Sequence, residues 1–95
     1  MRTIEINQIS VWSNGVNVPV KILGVEIAQD NLKDWANFKY SLFTNFDPNN
    51  LALNIPVRNG FLAMDGQDYE DWGDAADINL AAIQWVAHQL NLTIK

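Results

Sequence analysis

Val11-Trp12-Ser13-Asn14-Gly15-Val16-Asn17-Val18-Pro19-Val20 is the stretch whose reading decides the fold. Asn14-Gly15 accepts positive φ at both central positions of a type I′ turn, whose twist suits two antiparallel strands. Apolar residues alternate on both sides: Ile9 and Val11 before the turn, Val16, Val18, Val20 and Ile22 after it. A period of two marks a strand with one buried face. A β-hairpin is therefore expected, with strands over residues 3–12 and 16–28. Two phase changes interrupt it. Ile4 and Ile6 share one face and Ile9 and Val11 the other, which places a bulge or bend at Asn7-Gln8. Leu23, Val25 and Ile27 run out of phase with Val20 and Ile22, which places a second kink at Gly24. Pro19 has no N–H to give a neighbour, so its stretch belongs at an edge or a bulge.

The alternation resumes after a loop at residues 29–33. Over residues 34–44, Phe38, Tyr40 and Leu42 point one way and Asn37, Lys39 and Ser41 the other. That predicts one buried and one wet face, with Trp35 and Phe43 anomalous on the wet one. Asp47-Pro48-Asn49-Asn50 has the composition of a turn. Leu51, Leu53, Ile55 and Val57 align as a further strand, Asn59-Gly60 reads as a second hairpin turn, and residues 61–64 as a short return strand. Asp65-Gly66 breaks the pattern. Residues 67–72 can form one helical turn closed by Gly73 at positive φ. Asp74 is placed to cap a helix over residues 75–91, with Asp77 at its third position. On a helical wheel Leu80, Ala82, Ile83, Val86, Ala87 and Leu90 form the side that packs on the sheet, and Gln84, His88 and Asn91 a polar strip. Residues 92–95 read as a short terminal extension or strand. The expected fold is α+β and mostly β, a single domain over residues 1–95. It has an antiparallel sheet or small sandwich of four to five strands, with one C-terminal helix packed across it.

Composition narrows the function. Of eleven acidic residues, six fall between Asp65 and Asp77, and the net charge of −5 belongs wholly to residues 65–95. Six scattered Lys and Arg make no basic patch, which argues against nucleic acid and against an anionic membrane surface. No apolar run approaches the ~18–20 residues that span a bilayer. The N-terminus alternates polar and apolar and lacks the apolar block of a signal peptide, so a cytoplasmic location is expected and secretion by a signal peptide is not. There is no cysteine for a disulfide, a thiolate zinc site or a thiol nucleophile. Four tryptophans and twelve asparagines fit either a turn-rich β protein with an aromatic core or a polar-aromatic contact surface.

The acidic run admits several readings. Asp65, Asp68, Glu70 and Asp71 offer carboxylate oxygens to a hard cation or a basic partner. The spacing fails the EF-hand: counted from Asp65, the position that needs glycine holds Glu70. Acids at a helix start also suit the macrodipole by ~0.3–1 kcal/mol each. No obligatory metal or cofactor is expected; if calcium binds, Asp65, Asp68 and Asp71 are its ligands. No catalytic constellation stands out. His88 stands alone on the polar strip, and carboxylates crowded on one turn lack the cleft that acid–base work needs. Trp12, Trp35 and the asparagines permit sugar stacking, with end-covering of a small core as the plainer alternative. Trp85 lies ~140° around the helix from Leu90, so one sheet does not bury both. Ile78, Ala81 and Trp85, with Trp72, therefore form the expected interface for self-association or a protein partner, unless a loop at residues 45–50 folds over Trp85.

Gly60-Phe61-Leu62-Ala63-Met64-Asp65-Gly66-Gln67-Asp68-Tyr69-Glu70-Asp71-Trp72-Gly73 resembles a pattern in small proteins of tailed bacteriophages and prophages. There a short apolar strand precedes Gly-x-x-Tyr-x-x-Trp-Gly, an acidic stretch and a helix ending in an apolar-Asn/Gly-Leu-Thr tail. Here the tail is Leu90-Asn91-Leu92-Thr93-Ile94, and the hairpin at Trp12-Ser13-Asn14-Gly15 is similar in kind. The resemblance covers about 40 residues, and its motifs are structural. It implies a non-enzymatic virion or assembly protein and carries over no catalytic residue. A small carbohydrate- or ligand-binding module is the alternative, and a phage-encoded acidic inhibitor of a basic host protein is a third.

Overall fold

The computed structural model describes residues 2–47, 49 and 54–95. Four strands form one antiparallel sheet in the order of the chain: β1 (Arg2–Ser13), β2 (Val16–Asp30), β3 (Trp35–Phe43) and β4 (Arg58–Asp65). Two helices follow, α1 (Gly66–Gly73) and α2 (Ile78–Gln89). The fold is thus α+β and mostly β. The hairpin turn is as expected: Ser13 pairs with Val16, and Asn14 and Gly15 hold φ of 51° and 82°.

The bulge in β1 lies where the apolar phase changes. Glu5 pairs with Ile22 and Ile9 with Val20, so β1 spends two more residues than β2 between these pairs. The phase change in β2 belongs to the same bulge. Val20 and Leu23 are both fully buried, three residues apart, opposite the excess. Gly24 pairs in register with both Thr3 and Ser41, so the kink expected there is absent. The second irregularity falls later, between Ile27 and Gln29. Beside the bulge the outer edge of β1 takes a partner of its own. Ile6 bridges Ile94, the Asn7 N–H donates to the Thr93 carbonyl at 2.8 Å, and the Lys95 N–H donates to the Glu5 carbonyl at 3.1 Å. Backbone groups on the open edge of β1 are thus satisfied by the tail.

Pro19 sits in a central strand, yet the rule against it holds locally. β3 pairs with β2 only from Ile22 onward, so Pro19 is laddered to β1 alone; on its other side the Pro19 carbonyl accepts from the Thr44 hydroxyl at 2.7 Å, a contact that needs no proline N–H. On β3, Phe38 and Leu42 are buried as expected. The opposite face is drier than expected at one end: Ser41 and Phe43 are buried, and Phe46 covers Phe43 at 5.2 Å between ring centroids.

The second hairpin is a correction. Residues 54–57 are not strand, Ile55 is exposed, and Leu51 and Leu53 lie outside the described residues. Asn59-Gly60 is not a turn: both residues lie inside β4, opposite Ser41 and Tyr40. The glycine answers a different need. A Cβ at Gly60 would stand 2.6 Å from the Tyr40 hydroxyl oxygen and 2.8 Å from its ring.

The helices cover one face of the sheet. α1 lies against β3 and β4, and α2 against β1, β2 and α1. The positive-φ glycine is Gly66, at the corner from β4 into α1, and not Gly73. Asp74 closes α1 by donating its N–H to the Glu70 carbonyl, while Asp77 caps α2 by accepting from the Asn79 and Leu80 N–H groups, both at 3.1 Å. The expected cap is thus three residues too early, and α2 is shorter than residues 75–91. Ala82, Ile83, Val86 and Ala87 are buried and Leu90 packs on the core, but Leu80 is exposed. No helix among the described residues is long and apolar enough to cross a membrane.

Two outcomes check this packing by denaturant unfolding. Gly60→Ala should cost ~1–3 kcal/mol by overpacking. In a Tyr40→Val background the same change should be neutral or stabilising, because alanine then only relieves the entropic cost of glycine. Asp77→Ala should cost ~1 kcal/mol as a lost N-cap, and Asp74→Ala much less.

Candidate functional site

The acidic run is divided among separate tasks. Asp68 accepts from the Trp85 indole N–H at 3.1 Å, and Asp71 from the Gln67 amide at 2.9 Å, one helical turn away. Asp77 caps α2, and Glu70 and Asp74 are exposed. Asp65 occupies the N-cap position of α1 but makes no capping bond. Asp68 and Asp71 line a groove of about 240 Å³ between the helices, whereas Asp65 lines a different cleft. Among the described residues no three acidic or histidine side chains gather as a metal-binding group. His88 is exposed in the last turn of α2.

The expected interface residues separate too. Trp72 is buried, meets Phe38 edge-on at 5.4 Å, and donates its indole N–H to the Ile78 carbonyl at 2.8 Å. Ala81 and Trp85 are half-buried in the groove against α1, and Trp85 reaches Phe38 at 6.0 Å. The cover over Trp85 comes from α1; the loop at residues 45–50 expected there includes residues 48 and 50, which lie outside the described residues. Ile78 alone of the four is exposed, at 46%. It meets Ile27 of β2, itself 49% exposed, in a groove that Arg2, Glu26 and Asn79 also line. Periodicity could not find Ile27, which belongs to the inward row of β2 by parity; the helix stops short of covering it.

A second feature lies on the sheet face away from the helices. Trp35 pairs with Asp65 and Asn37 with Ala63, so all four side chains share that face. With Asp34 and Gly66 they line an open cleft of about 710 Å³. The loop before β3 builds one wall. Asn31 accepts from the backbone N–H groups of Lys33, Asp34 and Trp35, and its amide donates to the Asp34 carboxylate at 2.7 Å. The sequence flags Trp35 and Asp65 separately; Asp34 carries no signal until β3 and β4 are paired. Trp12 is elsewhere, 63% exposed beside the first hairpin turn.

The residues that carry the phage resemblance are architectural. The Tyr69 hydroxyl donates to Asp30 at 2.7 Å, which ties α1 to the end of β2. Trp72 ties α1 to α2, Asn91 turns the chain at φ 56°, and Ile94 closes on β1. The bond to the Asp30 carboxylate raises the Tyr69 pKa, with desolvation and the charges of Asp30 and Asp34 adding to it. No family model, curated protein or solved structure matches the chain.

A tyrosine whose folded pKa lies above the ordinary ~10 holds its proton more tightly in the native state. Its contribution is complete below ~pH 10 and is lost as pH rises through the folded value. Tyr69→Phe should therefore lower the unfolding midpoint at neutral pH and flatten its fall above ~pH 10 relative to wild type. Urea unfolding of both proteins across that range reads the difference.

Proposed function

We propose that the chain is a non-enzymatic structural or interaction protein of a tailed-phage virion or of virion assembly, which docks a protein partner or a second copy of itself. The observation that supports docking most directly is the exposed pair Ile27 and Ile78 across the β2–α2 groove. An apolar centre with a polar rim, here Arg2, Glu26 and Asn79, is the anatomy of an interface. The acids on α1 lie apart from it and suit a basic contact. The phage assignment rests on the resemblance of residues 60–73 and 90–94. A second reading, a small ligand- or sugar-binding module, is favoured by one observation: Trp35 and Asp65 meet in a cleft.

Ile78 is a cleaner probe than Trp85, whose ring supports Phe38. Sedimentation should show wild type associating as concentration rises and Ile78→Asp remaining at 10.7 kDa. A wild type that stays monomeric throughout removes self-association and leaves only a foreign partner. Mass spectrometry of particles and assembly intermediates from the phage or prophage that encodes the chain should find it there; its absence from both overturns the virion reading.

A further inference from the structure

We propose that the cleft on the outer sheet face binds an organic cation, a primary ammonium or guanidinium group, laid against the Trp35 indole between Asp34 and Asp65. The register of β3 and β4 sets Trp35 directly opposite Asp65, and Asp34 is the residue before Trp35 in the chain. All three line the same cleft, together with Asn37. The wall is built before any ligand arrives. Three backbone N–H groups converge on the Asn31 side chain, which also holds one oxygen of Asp34. The other Asp34 oxygen and both oxygens of Asp65 have no hydrogen-bond partner among the described residues. The indoles sort in the same way. Trp72 and Trp85 spend their N–H groups inside the chain, whereas Trp35 is half-buried and does not, among the described residues.

Charge selects the ligand. No base lines the cleft, and the one ion pair among the described residues, Lys95 with Glu5, lies elsewhere. Two carboxylates with no base beside them disfavour an anion; a neutral sugar can stack on the indole and donate its hydroxyls to them but leaves their charge uncompensated. Calcium needs six to eight oxygens, and an indole offers none. A cationic nitrogen uses every part of the site: its charge meets the ring face, and its N–H groups meet the carboxylates. The inference does not depend on the virion reading. A monomeric chain that binds the cation keeps this site and loses only the self-association reading.

The test is titration followed by nitrogen–proton NMR, which resolves each indole N–H. The probes are cadaverine as a free amine and short neutral peptides that carry one lysine or one arginine. Methyl glucoside and calcium chloride are run beside them. The cations should move the Trp35 indole and the Asn37 amide saturably and leave Trp12 in place. Asp34→Asn with Asp65→Asn should weaken binding about tenfold, the sum of two partly exposed charge contacts. Both positions are exposed, and Glu70→Gln with Asp74→Asn, two exposed acids outside the cleft, serves as the charge-matched control that should change nothing. Binding of all the cations assigns the site to the group itself; binding of the peptides alone assigns it to a side chain on a protein. No movement at Trp35, equal movement at Trp12, or a response to methyl glucoside or calcium in place of the cations overturns the proposal.

Discussion

Phe38 is the side chain on which the two helices depend. Its ring is fully buried on the inner face of β3 and meets Trp72 of α1 edge-on and Trp85 of α2 at a tilt. Aromatic pairs in these geometries add ~0.5–1.5 kcal/mol to the area they bury. Each tryptophan is also held by its indole N–H, Trp72 by the Ile78 carbonyl and Trp85 by Asp68. The two donors cross between the helices in opposite directions: α1 binds the start of α2, and α2 binds the start of α1. A helix of eight residues has little stability of its own. α1 exists because Phe38 gives Trp72 a place to pack and Asp30 gives Tyr69 one to bond.

The same economy explains the other end of the molecule. The β1 bulge breaks the ladder to β2, and at the same place the outer edge of β1 is open at Glu5 and Asn7. The tail beyond α2 supplies the missing partners, and Ile94 packs beside buried Ile6. A chain that starts in the first strand and ends against it ties the helical layer to the sheet at both margins. The bulge also turns the apolar row of the hairpin over, so that Val11 and Val20 join the same core as Leu23 and Val25.

How much of this was legible depended on whether one residue carried one demand. Asn14-Gly15 does little beyond turning the chain, and its signal was read correctly. Asn59-Gly60 has the same letters, yet its glycine answers the ring of Tyr40 on the next strand, a demand that exists only after β3 and β4 pair. Gly24 misled for a related reason. The phase change it sits beside is imposed by two extra residues in β1, so the cause is in the partner strand. Asp74 and Asp77 are both credible caps by local rule. What decides between them is that α1 runs through Gly73 and uses Asp74 to finish. The Phe38–Tyr40–Leu42 alternation was clear because a half-buried strand needs only itself to be read.

The candidate sites were legible in residue type and not in grouping. Six acids within thirteen residues look like one feature in a linear string. Folding sends them to a cap, two side-chain bonds, an exposed turn and a cleft, and so removes most of their collective character. Asp65 is the one that gains company, because an antiparallel neighbour brings Trp35 and Asp34 to it. Ile78 likewise loses Ala81 and Trp85 to the α1 groove and gains Ile27 from β2. In both cases the new neighbour comes from a strand position thirty or more residues away in the chain, far beyond what helical or strand periodicity can relate. A binding surface on a small sheet is a property of register, and register here is set by a bulge, a loop held by Asn31 and a glycine under a tyrosine ring.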